Sequence, residues 1–272
     1  MRNILLTVSY DGTDFCGWQR QDCGEIKNSM RTVQGEIEIA LEKLHKTPVI
    51  LYGSGRTDSG VHAMGQAANF ISPIDSIPVD RYPRAINTFL PQDIRIVGAC
   101  EVPRDFNARF NATSRVYRYF ICPLDIQASQ TKYAWCVNYQ PDIERLNKYC
   151  ACLKGELDCA SFAASGDESL STMRYIEQAH FFTQKVFPDD KEMLVFEIEA
   201  NAFLWKMVRT ITGTLIQLDK ANAPLDSMEK ILNAKDRKSA GATAPSHGLF
   251  LYKIIFDGIV RHDRNNPENL KK

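Results

Sequence analysis

No C-x-x-C pair occurs among the eight cysteines of this sequence, which removes the usual spacing signature of a zinc site. The closest two, Cys150 and Cys152, fall in a helical pattern, where residues two apart point away from each other. Nor is there an excess of charge: 33 Lys and Arg stand against 33 Asp and Glu. A uniformly basic surface is therefore excluded, whereas a local basic groove is not. Long hydrophobic runs are missing as well. The opening "MRNILLTVSY" is a short alternating run without an apolar h-region or cleavage signal, and no stretch approaches a membrane span. Low-complexity segments and residue-level repeats are absent. These absences point to a cytoplasmic globular protein in a reducing compartment, with its cysteines used as small core residues.

What is present is an ordinary globular composition, 44% hydrophobic and 24% charged over 272 residues, enough for one large domain or two of ordinary size. "NILLTVSY" (3–10) alternates and places Leu6, Val8 and Tyr10 on one strand face. "VQGEIEIALEKLHK" (33–46) has apolar residues at helical spacing. "TPVILYG" (47–53) and "GQAANFIS" (65–72) read as strands on either side of a polar loop. "DRYPRAINTFLP" is a short helix that must end by Pro91, and "IRIVGACEV" is another strand. Beyond Arg104, "RVYRYFIC" (115–122) alternates, with Tyr117 and Tyr119 on one face and Val116 and Arg118 on the other. "DIERLNKYCACLKG" (142–155) is an amphipathic helix with Asp142 as N-cap and Gly155 as its stop. "EMLVFEIEA" is a strand, "AFLWKMVRTITGTLIQL" (202–218) a long apolar helix, and "GLFLYKIIF" a closing strand. Two successive sets of interleaved strands and helices predict an α+β protein of two lobes around a cleft, divided into residues 1–105 and 106–272.

The densest polar segment is "GSGRTDSGVH" (53–62). It is not a P-loop, because no lysine follows a glycine, and it lacks G-x-G-x-x-G. A serine-hydrolase reading of Ser59 with His62 lacks a carboxylate placed to orient the histidine. The plainest reading is a glycine turn that Asp58 caps. The alternative is that Arg56 and Asp58, two apart in an extended loop, emerge on one side. The small residues beside Asp58 would then admit a planar substrate to an exposed carboxylate. A second candidate is "RDFNARFNATSRVYRYF" (104–120), where Arg104, Arg109, Arg115 and Arg118 interleave with aromatics. That mixture suits phosphate contact and base stacking, or equally a strand with a solvated arginine edge. "KNSMR" (27–31) reads first as ordinary solvated charge. Lys206 and Arg209, set in an apolar helix, must snorkel or pair. The pair is structural, or Arg209 meets a carboxylate in the cleft, with Asp58 the attractive partner.

Seven blocks stand in order along the chain: "YDGTDFCGWQRQ", "GSGRTDSGVHAMGQ", "LPQDI", "FNARF", "RVYRY", "NAFLWKMVR" and "ATAPSHGLFL". Together, from Tyr10 to about Tyr252, the sequence resembles the TruA-type tRNA pseudouridine synthases. The resemblance implies a homodimer whose two lobes carry mainly antiparallel, RRM-like sheets flanked by helices, with the active-site cleft between them. It implies conversion of uridine to pseudouridine at positions 38 to 40 of the tRNA anticodon stem-loop, without cofactor or metal. By the same resemblance Asp58 is the nucleophile. Tyr117 stacks on the uracil and assists proton transfer, Arg209 pairs with Asp58, Leu249 walls the base, and Arg56 fills the space left by the flipped nucleotide. Asn107, Arg109, Phe110, Asn111 and Arg115 fall to substrate binding. The stretch "DCGEIKNSMR" (22–31) is longer than the connector other members have. The competing reading is a catalytically idle tRNA-binding or chaperone protein on the same scaffold, which the intact set Asp58, Tyr117 and Arg209 argues against.

Overall fold

The computed structural model describes residues 1–21, 30–123, 128–186 and 191–258. In chain order its elements are β1 (Arg2–Tyr10), α1 (Val33–His45), β2 (Tyr52–Gly53), β3 (His62–Ser72), α2 (Tyr82–Asn87), β4 (Ile94–Val102), β5 (Ser114–Pro123), α3 (Ala128–Thr131), β6 (Trp135–Val137), α4 (Ile143–Cys150), β7 (Gly155–Asp158), β8 (Met173–Val186), β9 (Lys191–Ala200), α5 (Met207–Lys220), α6 (Ser227–Ala234) and β10 (Leu249–Ile255). The fold is mixed α+β and its strand pairs are mostly antiparallel. None of the described helices is long and apolar enough to cross a membrane. The chain forms two compact units. The first holds Met1–Ala112 and takes back Phe250–Phe256; the second holds Thr113–Leu249 with Asp257 and Gly258.

In the first unit the strands run in the order β4-β1-β3-β10, with β2 on β3. The alternation read in "NILLTVSY" is realised: Ile4, Leu6 and Val8 are fully buried and Tyr10 nearly so. Their partners in the core are Ile37 and Leu41 of α1, Phe70 of β3, and Tyr82 and Ile86 of α2. Thr32 caps α1 by accepting from the Gly35 amide, and Lys46 ends it in the left-handed region at φ 60°. β10 joins parallel to β3, Phe250 beside His62 and Leu251 beside Ala63. The strand expected over 47–53 shortens to Tyr52–Gly53, because only Tyr52 and Gly53 pair with β3.

In the second unit the order is β5-β9-β8-β7, with β6 parallel to β5. Leu146 and Tyr149 of α4, Ile211 and Leu215 of α5, and Met228 of α6 supply its buried helical faces. Asp142 caps α4 as expected, accepting from the Arg145 amide at 3.1 Å. The helix stops at Cys150, and Gly155, at φ 89°, opens β7 instead. α5 starts later than its apolar run suggests. Residues 202–206 lie outside it, and Lys206 stands before it at φ 58°. The lysine keeps its ammonium out of the core by resting over the Trp205 ring at 4.3 Å.

Candidate active site

The 53–62 loop is built by its neighbours in the first unit. Ser54 donates its amide to Ala67, and buried Gln66 donates to the Gly55 carbonyl at 2.7 Å. Thr57 is held twice. Its hydroxyl shares a buried hydrogen bond with the Tyr10 hydroxyl at 2.7 Å, and its carbonyl accepts from the Trp18 amide at 3.1 Å. A register shift between Val8 and Tyr10 marks the end of β1 from which Tyr10 reaches the loop. Ser59 Oγ donates to the Phe15 carbonyl. The Asp58 carbonyl accepts from Val61, closing a turn whose third residue, Gly60, takes φ 75°. The approach is close enough that a Cβ on Gly17 would stand 2.6 Å from the Thr57 carbonyl oxygen. One on Gly53 would stand 2.3 Å from the Trp18 indole nitrogen. Exposure alternates accordingly: Arg56 is exposed, Thr57 buried, Asp58 half-buried and Ser59 exposed.

His62 belongs to this scaffold. It is fully buried and stacked on Phe250 at 4.6 Å, and its Nδ1 accepts from the Gly12 amide at 3.0 Å. The structure does place a carboxylate beside His62, Asp11 Oδ1 at 3.2 Å from Nδ1, but His62 is fully buried and Ser59 Oγ is bound to the Phe15 carbonyl, so both serve loop shape. Arg31 is likewise drawn inward. It makes a two-pronged bond to Asp93 at 2.6 and 2.9 Å and another to Glu36, over the Phe15 ring. The Asp93 bond raises its pKa. Lys27 and residues 22–29 lie outside the described residues.

The "FNARF" turn is also a first-unit feature. Asn3 donates to the carbonyls of Pro103 and Phe106, Asn69 donates to Asn3 Oδ1, and the Ala108 amide donates to Asn69 Oδ1. Within the turn Asn107 Oδ1 accepts from the Arg109 amide, and Asn111 Oδ1 from the Asn107 amide. These bonds hold Arg109 and Phe110 at the surface, Phe110 being 52% exposed.

The remaining candidates belong to the second unit. Tyr117 is buried on β5, edge-on to Phe203 with ring centroids 5.1 Å apart. Arg209, in the first turn of α5, donates Nε to the Ala244 carbonyl at 2.8 Å, and the Ala244 amide returns a bond to the Arg209 carbonyl. The segment 240–245 lies this close because Gly213 has no side chain: a Cβ there would meet the Ala242 carbonyl oxygen at 1.9 Å. Tyr119 then fixes the stretch from Pro245 to Gly248. Its hydroxyl donates to Pro245, and its ring fills the space a Cβ on Gly248 would need. Burial drives the Tyr119 phenol well above its ordinary pKa, with the Arg209 guanidinium working against the rise. Leu249, next in the chain, is buried. Arg115 donates to the Asn201 carbonyl at 2.6 Å. Arg118 pairs with Glu197 across the β5–β9 ladder at 2.6 Å, so the edge weighed as solvated is ion-paired at this arginine. Among the described residues no three His, Cys, Asp or Glu side chains are grouped as a metal would require.

These residues can be compared with known proteins. A family model described as tRNA pseudouridine synthase matches residues 6–111 and 150–257. The chain belongs to the tRNA pseudouridine synthase family. Members of this family are isomerases, and this chain is an enzyme of that class. It is 52% identical over 256 residues to the tRNA pseudouridine synthase A of Treponema denticola, covering 94% of this chain and 93% of that one. It is 49% identical to that of Treponema pallidum strain Nichols, covering 89% and 84%, and 40% identical to that of Brachyspira hyodysenteriae, covering 94% and 99%. Arg56, Asp58, the 107–111 turn, Arg209 and Leu249 fall inside the family match; Tyr117 and Arg115 lie between its two spans. The supports of the site, Tyr10, Thr57, Trp18, Tyr119 and Gly213, were not singled out from the sequence. The one signal that could have found Tyr10 and Trp18 is their place in a conspicuous block ahead of the Asp58 loop.

Proposed function

We propose that this protein isomerises uridine to pseudouridine at positions 38 to 40 of the tRNA anticodon stem-loop, with Asp58 as the nucleophile. The observation that carries the reading is family membership joined to the Asp58 loop. That loop is a glycine-flanked segment whose backbone and whose Thr57 and Ser59 side chains are hydrogen-bonded while Asp58 stays half-buried. Detaching a base, turning it and rejoining it through carbon requires taking it out of the stack, at a cost of a few kcal/mol. In this reading the Tyr117 ring and Leu249 offset that cost by holding the uracil, Arg56 occupies the vacated space, and Arg209 is the pairing partner of Asp58. In the same reading the strands of each unit play the RRM-like part that the resemblance implies. The proposal includes a cytoplasmic homodimer, with the 107–111 turn and Arg115 on the tRNA.

Asp58→Asn keeps the shape of the carboxylate and removes the nucleophile. It is expected to abolish tritium release from labelled uridine in tRNA while tRNA affinity stays within a few-fold. Turnover retained by Asp58→Asn would overturn the proposal. Wild-type protein that binds tRNA without forming pseudouridine would favour the idle-binder reading.

A further inference from the structure

We propose that Cys122 and Cys136 form a reversible dithiol–disulfide site that hydroperoxides oxidise. The two residues face each other on neighbouring parallel strands, Cys122 on β5 and Cys136 on β6. Neighbouring strands stand about 4.8 Å apart, inside the Cα separation of roughly 4.4–6.8 Å that a disulfide spans. Their side chains already point at each other: the Cys122 thiol donates to Cys136 Sγ at 3.2 Å. Cys136 is half-buried and Cys122 buried. Cys122, but not Cys136, also lines a cavity of about 190 Å³ with Gln140, Thr183 and Glu192. Burial and the bond to Cys136 keep the Cys122 thiol protonated.

The more accessible Cys136 sulfur attacks a peroxide oxygen, becoming a sulfenic acid and releasing one water. The Cys122 sulfur then attacks the Cys136 sulfur. The S–S bond forms, the S–O bond breaks, and the hydroxyl leaves with the Cys122 proton as a second water. Two thiols are oxidised and one hydrogen peroxide is reduced. The bond staples β6 to β5, and β6 carries Trp135, which stands edge-on to Tyr119 at 6.2 Å. The site uses none of the residues assigned to uridine chemistry.

The test is peroxide treatment of the full chain, then denaturation, maleimide alkylation and peptide mapping. The expected result is a peptide linking Cys122 to Cys136, loss of two alkylatable thiols, and recovery of both with dithiothreitol. The oxidised form should also have a higher Tm than the reduced one. Cys136→Ser and Cys122→Ala should each abolish the linked peptide. The proposal is overturned if both thiols stay alkylatable after treatment. It is equally overturned if either pairs with another cysteine, such as Cys23 or Cys16.

Discussion

Thr57 ties the 53–62 loop to the first strand through a hydroxyl that is buried with its partner. Thr57→Val leaves the Tyr10 hydroxyl without that bond, a loss of about 1–3 kcal/mol, and loosens the backbone on one side of Asp58. Positioning errors of this kind cost on the order of ten- to a hundredfold in rate. The expected outcome is a fall in kcat of that order with KM little changed, and recovery in Thr57→Ser, which keeps the hydroxyl. Steady-state tritium-release kinetics check it; an unchanged kcat would show that the hydroxyl pair does not hold the reacting geometry. Tyr10→Phe should reproduce the effect, and the double variant should cost no more than either single one, because both remove the same bond. Asp58 and Arg56 stood out in the sequence because, two apart in a loop of small residues, they can emerge on one side. Thr57 did not, since a threonine becomes informative only when its partner 47 positions away is known.

At the scale of elements, Gly213 lets the 240–245 segment lie on α5, and that segment carries Ala244 and Pro245 to Arg209 and Tyr119. Gly213→Ala puts a methyl against backbone that cannot swing aside. It should destabilise by about 1–3 kcal/mol and lower Tm by several degrees in thermal melts. Gly55→Ala is the control, because a Cβ there meets nothing within 4 Å; its melt should match the wild type. Equal melts for the two variants would remove the packing argument. Most elements were legible in hydrophobic periodicity: β1, α1, β5, α4 and β9 stand close to where alternation or helical spacing places them. β8 was not read as a strand. Its pairing slips register between Ile176 and Gln178, which switches the face each later residue presents and breaks the period of two. α6 is only eight residues long and was missed for want of a sustained pattern.

For the whole molecule, balanced charge means that any grip on tRNA must be local. Arg104 and Arg109 are exposed, and Arg115 gives its guanidinium to the Asn201 carbonyl. Replacing Arg104 or Arg109 with alanine should each reduce the slope of log affinity against log salt by about one, and Arg115→Ala by less. Filter binding of tRNA across a salt series measures this; slopes unchanged in all three variants would place the RNA elsewhere. Most of the strands and helices, the α+β class and the family were legible in local pattern and ordered motifs, because periodicity and motif spacing are properties of the chain itself. The tertiary structure alone decided which strands pair. It returned Phe250–Phe256 to the first unit beside His62, and spent Arg31 and Arg118 on ion pairs rather than on solvent. It also decided which hydroxyls and glycines hold the Asp58 loop and the 244–249 segment. Those outcomes depend on contacts between residues far apart in the chain, and such contacts leave no periodic trace in the sequence that makes them.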